Sequence, residues 1–324
     1  MSTLYAGPGK VYMNGQALWP EGENGEIKAE VKQQALEVVS GFFGRVTALQ
    51  GDAQAIISLT PFDNWSALPL LFPPCLGVST GTTSGALGIG TRPHGTTDVP
   101  AEIWTPDGRS YTFPRAAVIK HPDLRLAIDR PLFGPIAIAA IIATGKSLGG
   151  AGALYTLTAS GAADPGGQQG TDYTRGAWKG IWGTTPGFGG ASGDSPIEAE
   201  DAWVILTDAK YSPLPVQQLV RGYKLDNVSF MAKVRPFGPT HAQIDAAIGV
   251  NAGRTLGAQF ANSTTAADLV LSGPNSKTIT LKNADVVGAG FEFGGTRLGT
   301  GELGFITTMT FAAGAPQPLL IFSA

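Results

Sequence analysis

SLTPF at Ser58–Phe62 and KVRPF at Lys233–Phe237 decide how this chain is read. Each closes an apolar run, AQAIISLTPF from Ala53 and VSFMAKVRPF from Val228. Each also precedes a stretch with helical character, DNWSALPLLF from Asp63 and GPTHAQIDAAIG from Gly238, where Thr240 is placed to cap a helix over His241–Ile248 with Gln243 completing a capping box. Further matches keep nearly the same distance. Phe62 and Phe237 stand 175 residues apart, Leu87 and Leu256 169, Trp104 and Leu271 167, and Gly145 and Gly314 169. WTPDGRSYTFPRAAVIKHP from Trp104 runs beside LSGPNSKTITLKNADVVGA from Leu271, each reading as strand, turn, strand, and GPIAIAAIIATG beside GFITTMTFAAG. VKQQ at Val31 has a looser counterpart in VQQ at Val216. One order of elements written twice predicts an internal duplication: a first domain over 1–145, a Gly-rich linker over 146–176 and a second domain over 177–324.

Composition points the same way. With 45 Gly and 23 Pro among 324 residues, the chain is heavily punctuated by turns, while 43% hydrophobic residues suffice for packed cores. Only 15% of residues are charged, so much of the surface is expected to be covered by neighbours, and a net charge of −3 offers no basic footprint for gripping phosphates. The opening MSTLYAGPGK lacks a basic segment followed by an apolar one, so nothing marks secretion. The most apolar run, Pro131–Thr144, is too short to span a bilayer, and no membrane partner is expected. Cys75 stands alone, which leaves no internal disulfide and reads as a buried small hydrophobe. Three Gly/Ser/Thr-rich stretches, 76–99, 145–195 and 251–266, read as long loops of the kind a partner orders.

Two catalytic patterns match in letters. AIIATGKS at Ala140–Ser147 fits a phosphate-loop expression, but Ile-Ile-Ala-Thr favours extended chain and LGGAGAL follows where a helix must begin. GVSTG at Gly77–Gly81 has nucleophile-elbow spacing around Ser79, yet it lies in the tract GVSTGTTSGALG with no helix after it; a serine hydrolase on Ser79 is the alternative from another class. His94, His121 and His241 show no metal-ligand spacing and read as surface or packing residues. PIEAED at Pro196–Asp201 lacks the alternating oxygens and Gly of a calcium loop. The tryptophans read as core or interface anchors. No catalytic residue, metal or cofactor is expected.

GEIKAEVKQQ from Gly25 alternates, with Ile27, Ala29 and Val31 on one face and Glu26, Lys28, Glu30 and Lys32 on the other. It predicts a strand with one wet face, which is either an exposed sheet face or the lining of a channel.

The order AGPGKVYMNG segment, long alternating hairpin from Gly25 to Phe62, short helix from Asp63 to Phe72, long loop, and closing strands to Gly145, repeated to Gly314, resembles the major tail tube proteins of long-tailed (siphovirus-like) bacteriophages, duplicated-domain type. The resemblance covers nearly the whole chain through its order of elements. It implies a mainly β (β-rich α+β) fold of two tandem tail-tube-like β-barrel or sandwich domains, each with a short flanking helix. It also implies a structural virion protein, assembled in the host cytoplasm and residing in the tail, whose stacked rings conduct DNA to the host. Three two-domain chains giving four strands per domain would close a 24-stranded barrel, roughly 48 Å across and on the order of 35–40 Å inside its side chains. The implied partners are other copies of the chain, the tail terminator, tape measure and distal tail proteins, and DNA passing through the lumen without specific binding. Glu26, Lys28, Glu30 and Lys32 are the lumen-lining candidates. Another ring-forming virion protein, such as a tail terminator, is the alternative within the structural class.

Overall fold

The computed structural model describes residues 9–20, 25–62 apart from 41 and 43, 65–93 apart from 82 and 83, 98–126, 131–141, 154–158, 176–183, 188, 203–236 apart from 217 and 218, 267–312 apart from 289, 290, 295, 296, 301, 309 and 310, and 315–323. Along the chain come β1 (Lys10–Met13), β2 (Gln16–Ala17), β3 (Ile27–Ser40) and β4 (Gly44–Leu59), then a 3-10 turn (Trp65–Ala67) running into α1 (Leu68–Leu71). β5 (Val78–Ser79), β6 (Val99–Trp104), β7 (Ser110–Lys120), β8 (Leu124–Leu126), β9 (Pro131–Phe133), β10 (Ile136–Ala140) and β11 (Thr156–Thr158) follow. The later strands are β12 (Lys179–Trp182), β13 (Val204–Val216), β14 (Leu219–Val234), β15 (Ala267–Ser272), β16 (Thr278–Gly288), β17 (Phe291–Gly294), β18 (Arg297–Thr300), β19 (Leu303–Thr307), β20 (Phe311–Ala312), β21 (Ala315–Pro316) and β22 (Leu320–Ser323).

The protein is mainly β and is built on two large sheets. The first has the order β2-β1-β6-β7-β10-β4-β3, with β11 added on β7; the second has β12-β15-β16-β19-β14-β13-β8-β9, with β22 pairing β16 and, in parallel, β5. Six strands of the first sheet, β1-β6-β7-β10-β4-β3, thus recur in the same order as β12-β15-β16-β19-β14-β13. Irregularities recur with them. The β6–β7 ladder shifts between Val99 and Ala101 and the β15–β16 ladder between Ala267 and Leu269. The β10–β7 ladder skips Ile119 and the β16–β19 ladder skips Val287. Bulges at equivalent positions are features of a shared design, since each re-aims the strand that carries it. The two copies also turn alike: Pro106-Asp107-Gly108 joins β6 to β7, and Pro274-Asn275-Ser276 joins β15 to β16, with Gly108, Asn275 and Ser276 at positive φ.

Register corrects two of the sequence matches. Trp104 lies opposite Ser110 and Ser272 opposite Thr278, so Trp104 corresponds to Ser272 and its neighbour Ile103 to Leu271. A slip of one residue along a strand exchanges its faces, and indeed Ile103 and Leu271 share the main core while Trp104 packs on the other side with Tyr12 and Ala17. Val31 pairs with Ala55 near the start of its hairpin, whereas Val216 pairs with Leu219 at the far end of the other, so the VKQQ and VQQ segments occupy different heights. By contrast, Leu59 lies opposite Ile136 and Val234 opposite Leu303, which keeps the 175-residue spacing of the opening pentapeptides. The helix expected from Asp63 is one α turn behind a 3-10 turn, stopped by Pro73-Pro74. The expected helix over His241–Ile248 lies outside the described residues.

One core runs from Val11 to Phe322, drawing on both halves. Segments of the first half seal the second sheet. Trp65 stacks on Trp178 at 6.0 Å and meets Phe322 edge-on at 5.8 Å, and Phe72 lies 5.4 Å from Phe322. β8 extends the second sheet by pairing with β13, placing Arg125 opposite Val204 and Leu124 opposite Ile205, while Leu126 N–H donates to the carbonyl of Trp203 at 2.7 Å. In return Tyr211 and Tyr223 of the second hairpin cover Ala117, Ala139 and Ile141 on the other face of the first sheet.

Candidate assembly surface

β3 and β13 are the first strands of two long hairpins, and both leave an edge open. Among the described residues β3 pairs only with β4. β13 is joined by β8 at Val204 and Ile205, and the Thr207 N–H is taken by Asp123 Oδ1 at 2.8 Å, but among the described residues its ladder from Asp208 to Val216 is with β14 alone. An open edge presents a row of backbone donors and acceptors to any strand of matching pattern.

The two faces of β3 differ as the alternation predicts. Glu26, Lys28 and Lys32 are exposed and Glu30 is half-buried; Lys28 Nζ lies 2.5 Å from Glu30 Oε1 and Lys32 Nζ 3.7 Å from Oε2. The hydrogen bond and charge of Lys28 lower the Glu30 pKa below the usual carboxylate value, and Glu30 in turn raises that of Lys28. On the opposite face Ile27, Ala29 and Val31 lie across from Leu59, Ile57 and Ala55, which are core residues. Being on an edge, β3 overhangs that core: Ala29 is exposed and Val31 is 42% exposed. Beneath the overhang is a groove of about 490 Å³ walled by Ile27, Ala29 and Val31 on one side, by Ile103, Tyr111 and Phe113 on the other, and by Tyr155. Leu157 of β11, two residues after Tyr155, is 55% exposed.

The repeat shows which side chains differ at the groove between the two halves. β1 and β12 pair equivalently with β6 and β15, which sets Lys10 against Lys179, Val11 against Gly180 and Gly9 against Trp178. Ile27 likewise corresponds to Trp203. Where the first half has Gly9 at the groove, the second has a fully buried indole packed flat against Gly273. Trp203 is also fully buried and lies against Gly180. Sequence reading found the wet face of β3 and missed the open apolar one. The signal was available in the exchange of Gly9 for Trp178, once the strands are paired.

The residues of the catalytic patterns are placed otherwise. Ser79 lies in β5, paired in parallel with β22, and its Oγ accepts the Gly85 N–H at 2.9 Å. The chain wraps so closely there that a Cβ on Gly85 would come 1.9 Å from the Val78 carbonyl oxygen, a loop closure rather than a strand-to-helix turn. In the phosphate-loop match Ala140 ends β10, and Lys146 and Ser147 lie outside the described residues. His121 is a packing residue at the seam between halves. Its Nδ1 and Nε2 lie 2.5 Å from the Leu71 carbonyl and the Tyr211 hydroxyl, and its ring lies 6.0 Å from that of Phe72. A carbonyl only accepts, so Nδ1 carries the proton and Tyr211 donates to Nε2. Burial raises the Tyr211 pKa and pushes the Cys75 thiol up to about 12, so Cys75 is protonated and inert in the folded chain. His94, His241 and Pro196–Asp201 lie outside the described residues, among which no cluster of three metal-ligating side chains occurs and no helix is long and apolar enough to cross a membrane. Neither family models nor curated proteins match the chain.

Proposed function

We propose that the chain is a structural virion protein, the major tail tube protein of a long-tailed phage, which polymerises as stacked rings of three chains into the conduit through which DNA reaches the host. The observation that carries this reading is the doubled sheet plan with a long, open-edged hairpin in each copy, β3–β4 of 14 and 16 residues and β13–β14 of 13 and 16. At about 3.3 Å per residue each arm reaches roughly 45 Å, long enough to serve as a stave of a barrel wall. Two such units per chain turn a pseudo-six-fold ring into a three-chain ring.

A conduit must neither hold nor stall DNA. Glu26, Lys28, Glu30 and Lys32 alternate in sign along one face and are the proposed lumen strip, where the acidic neighbours of the two lysines oppose phosphate binding. The tail terminator, tape measure and distal tail proteins are the proposed partners at the tube's ends and along its bore. Electron microscopy of the purified protein at high concentration, with native mass spectrometry of single rings, tests the reading. Tubes of stacked three-chain rings are expected. Isolated rings that never stack would favour the tail-terminator alternative, and a monomer at every concentration would overturn ring formation altogether.

A further inference from the structure

The repeat assigns a partner to the open edge of β3. Within one chain, the β8–β9 hairpin of the first half joins the second sheet at the start of β13. Its counterpart in the second half is β17–β18. The registers agree residue for residue at a spacing of 167: Leu124 pairs Phe133 and Phe291 pairs Thr300, Arg125 pairs Leu132 and Glu292 pairs Gly299, Leu126 pairs Pro131 and Phe293 pairs Leu298. Yet β17 and β18 pair only with each other among the described residues. Among the described residues there are therefore two equivalent hairpins and two equivalent strand edges, of which one hairpin and one edge are already joined.

We propose that the β17–β18 hairpin of one copy adds to the β3 edge of a second copy, repeating between chains the contact that β8–β9 makes within one. The inference deepens the ring reading and rests on it for closure. The register follows from the contact already made. Lys28 corresponds to Val204 and Ala29 to Ile205, so Phe293 would lie opposite Ile27, Glu292 opposite Lys28 and Phe291 opposite Ala29.

The sequences suit that register on both faces. The joined strand reads Leu-Arg-Leu with both leucines buried and the arginine exposed. The unjoined one reads Phe-Glu-Phe. In the docked register its two aromatic residues fall on the side of Ile27 and Ala29, where β3 overhangs the groove, and its acid falls on the side of Lys28. Because Leu126 bonds the Trp203 carbonyl, the Arg125–Val204 position is a non-hydrogen-bonded pair, in which facing side chains stand closest. Lys28 and Glu292 inherit that position as opposite charges.

Charge exchange and cross-linking test the contact in the full-length chain. Lys28→Glu and Glu292→Lys should each raise the concentration needed for assembly about fivefold, and the double exchange should restore it. Phe291→Asp should raise it tenfold or more, with the melting temperature of the unassembled chain recorded alongside to separate lost assembly from lost folding. Lys28→Cys with Glu292→Cys should give disulfide-linked chains on mild oxidation; Cys75 is buried and does not compete. Assembly that persists in Phe291→Asp, or proceeds without the cross-link, would overturn this contact while leaving ring formation standing. A disulfide confined within single chains would show that the hairpin caps its own sheet and would likewise overturn the proposal. Failure of the unaltered protein to assemble at any concentration would overturn both.

Discussion

Gly180 and Trp203 show how single residues set the difference between the halves. A Cβ on Gly180 would come 2.1 Å from Trp203 Cζ2, a clash with a fully buried ring that cannot move aside. Gly180→Ala is therefore expected to destabilise by about 3 kcal/mol, measured by denaturant unfolding. Trp203→Leu introduced alongside should recover part of that loss, and strictly additive effects would contradict the contact. The corresponding pair in the first half, Val11 and Ile27, needs no glycine because the smaller Ile27 leaves room for a side chain. Which residues are equivalent was only partly legible in the sequence. Pro-Phe after an apolar run marks the height of Leu59 and Val234 correctly, but the 167-residue match of Trp104 with Leu271 lies one position out of register. Bulges and ladders, which the sequence does not display, set that register.

At the scale of elements, the stretch from Trp65 to Leu71 belongs in sequence to the first half and packs on residues of the second. Trp65 contacts Trp178 and Phe322, and Lys277 Nζ sits 4.9 Å from the Trp65 ring. Trp65→Ala should cost about 3–5 kcal/mol, in keeping with the loss of a large buried aromatic side chain. The loss should appear as a lowered melting temperature for the whole chain; melting of the first sheet alone would contradict the shared core. The long hairpins were legible because β3 alternates cleanly and each copy ends on the same apolar run. The docking of β8 was not, because Leu-Arg-Leu is too short for periodicity to distinguish a strand from a turn and its partner lies about eighty residues on. Nor was the groove, since a missing side chain such as that of Gly9 leaves no mark until its counterpart, Trp178, is known.

For the molecule as a whole, the halves exchange parts: α1, β5 and β8–β9 seal the second sheet, while Tyr211 and Tyr223 cover part of the first. The interleaved contacts are expected to hold the halves together without the covalent link. A protease site introduced between Gly166 and Gly167 should, once cut, leave two fragments that co-migrate in size-exclusion chromatography and unfold in one transition. Separation of the fragments under native conditions would mean that the interleaved contacts are too weak to hold them.

The tethered β8–β9 contact also bears on kinetics. A hairpin tied to the sheet that it joins meets that sheet at an effective concentration on the order of millimolar, set by the intervening chain and not by the amount of protein in solution. In the proposed ring of three such chains, three of the six seams would be unimolecular and would close as each chain folds. Only the remaining three would wait on encounters, so formation of the proposed ring is expected to fall off less steeply on dilution than assembly from six separate domains.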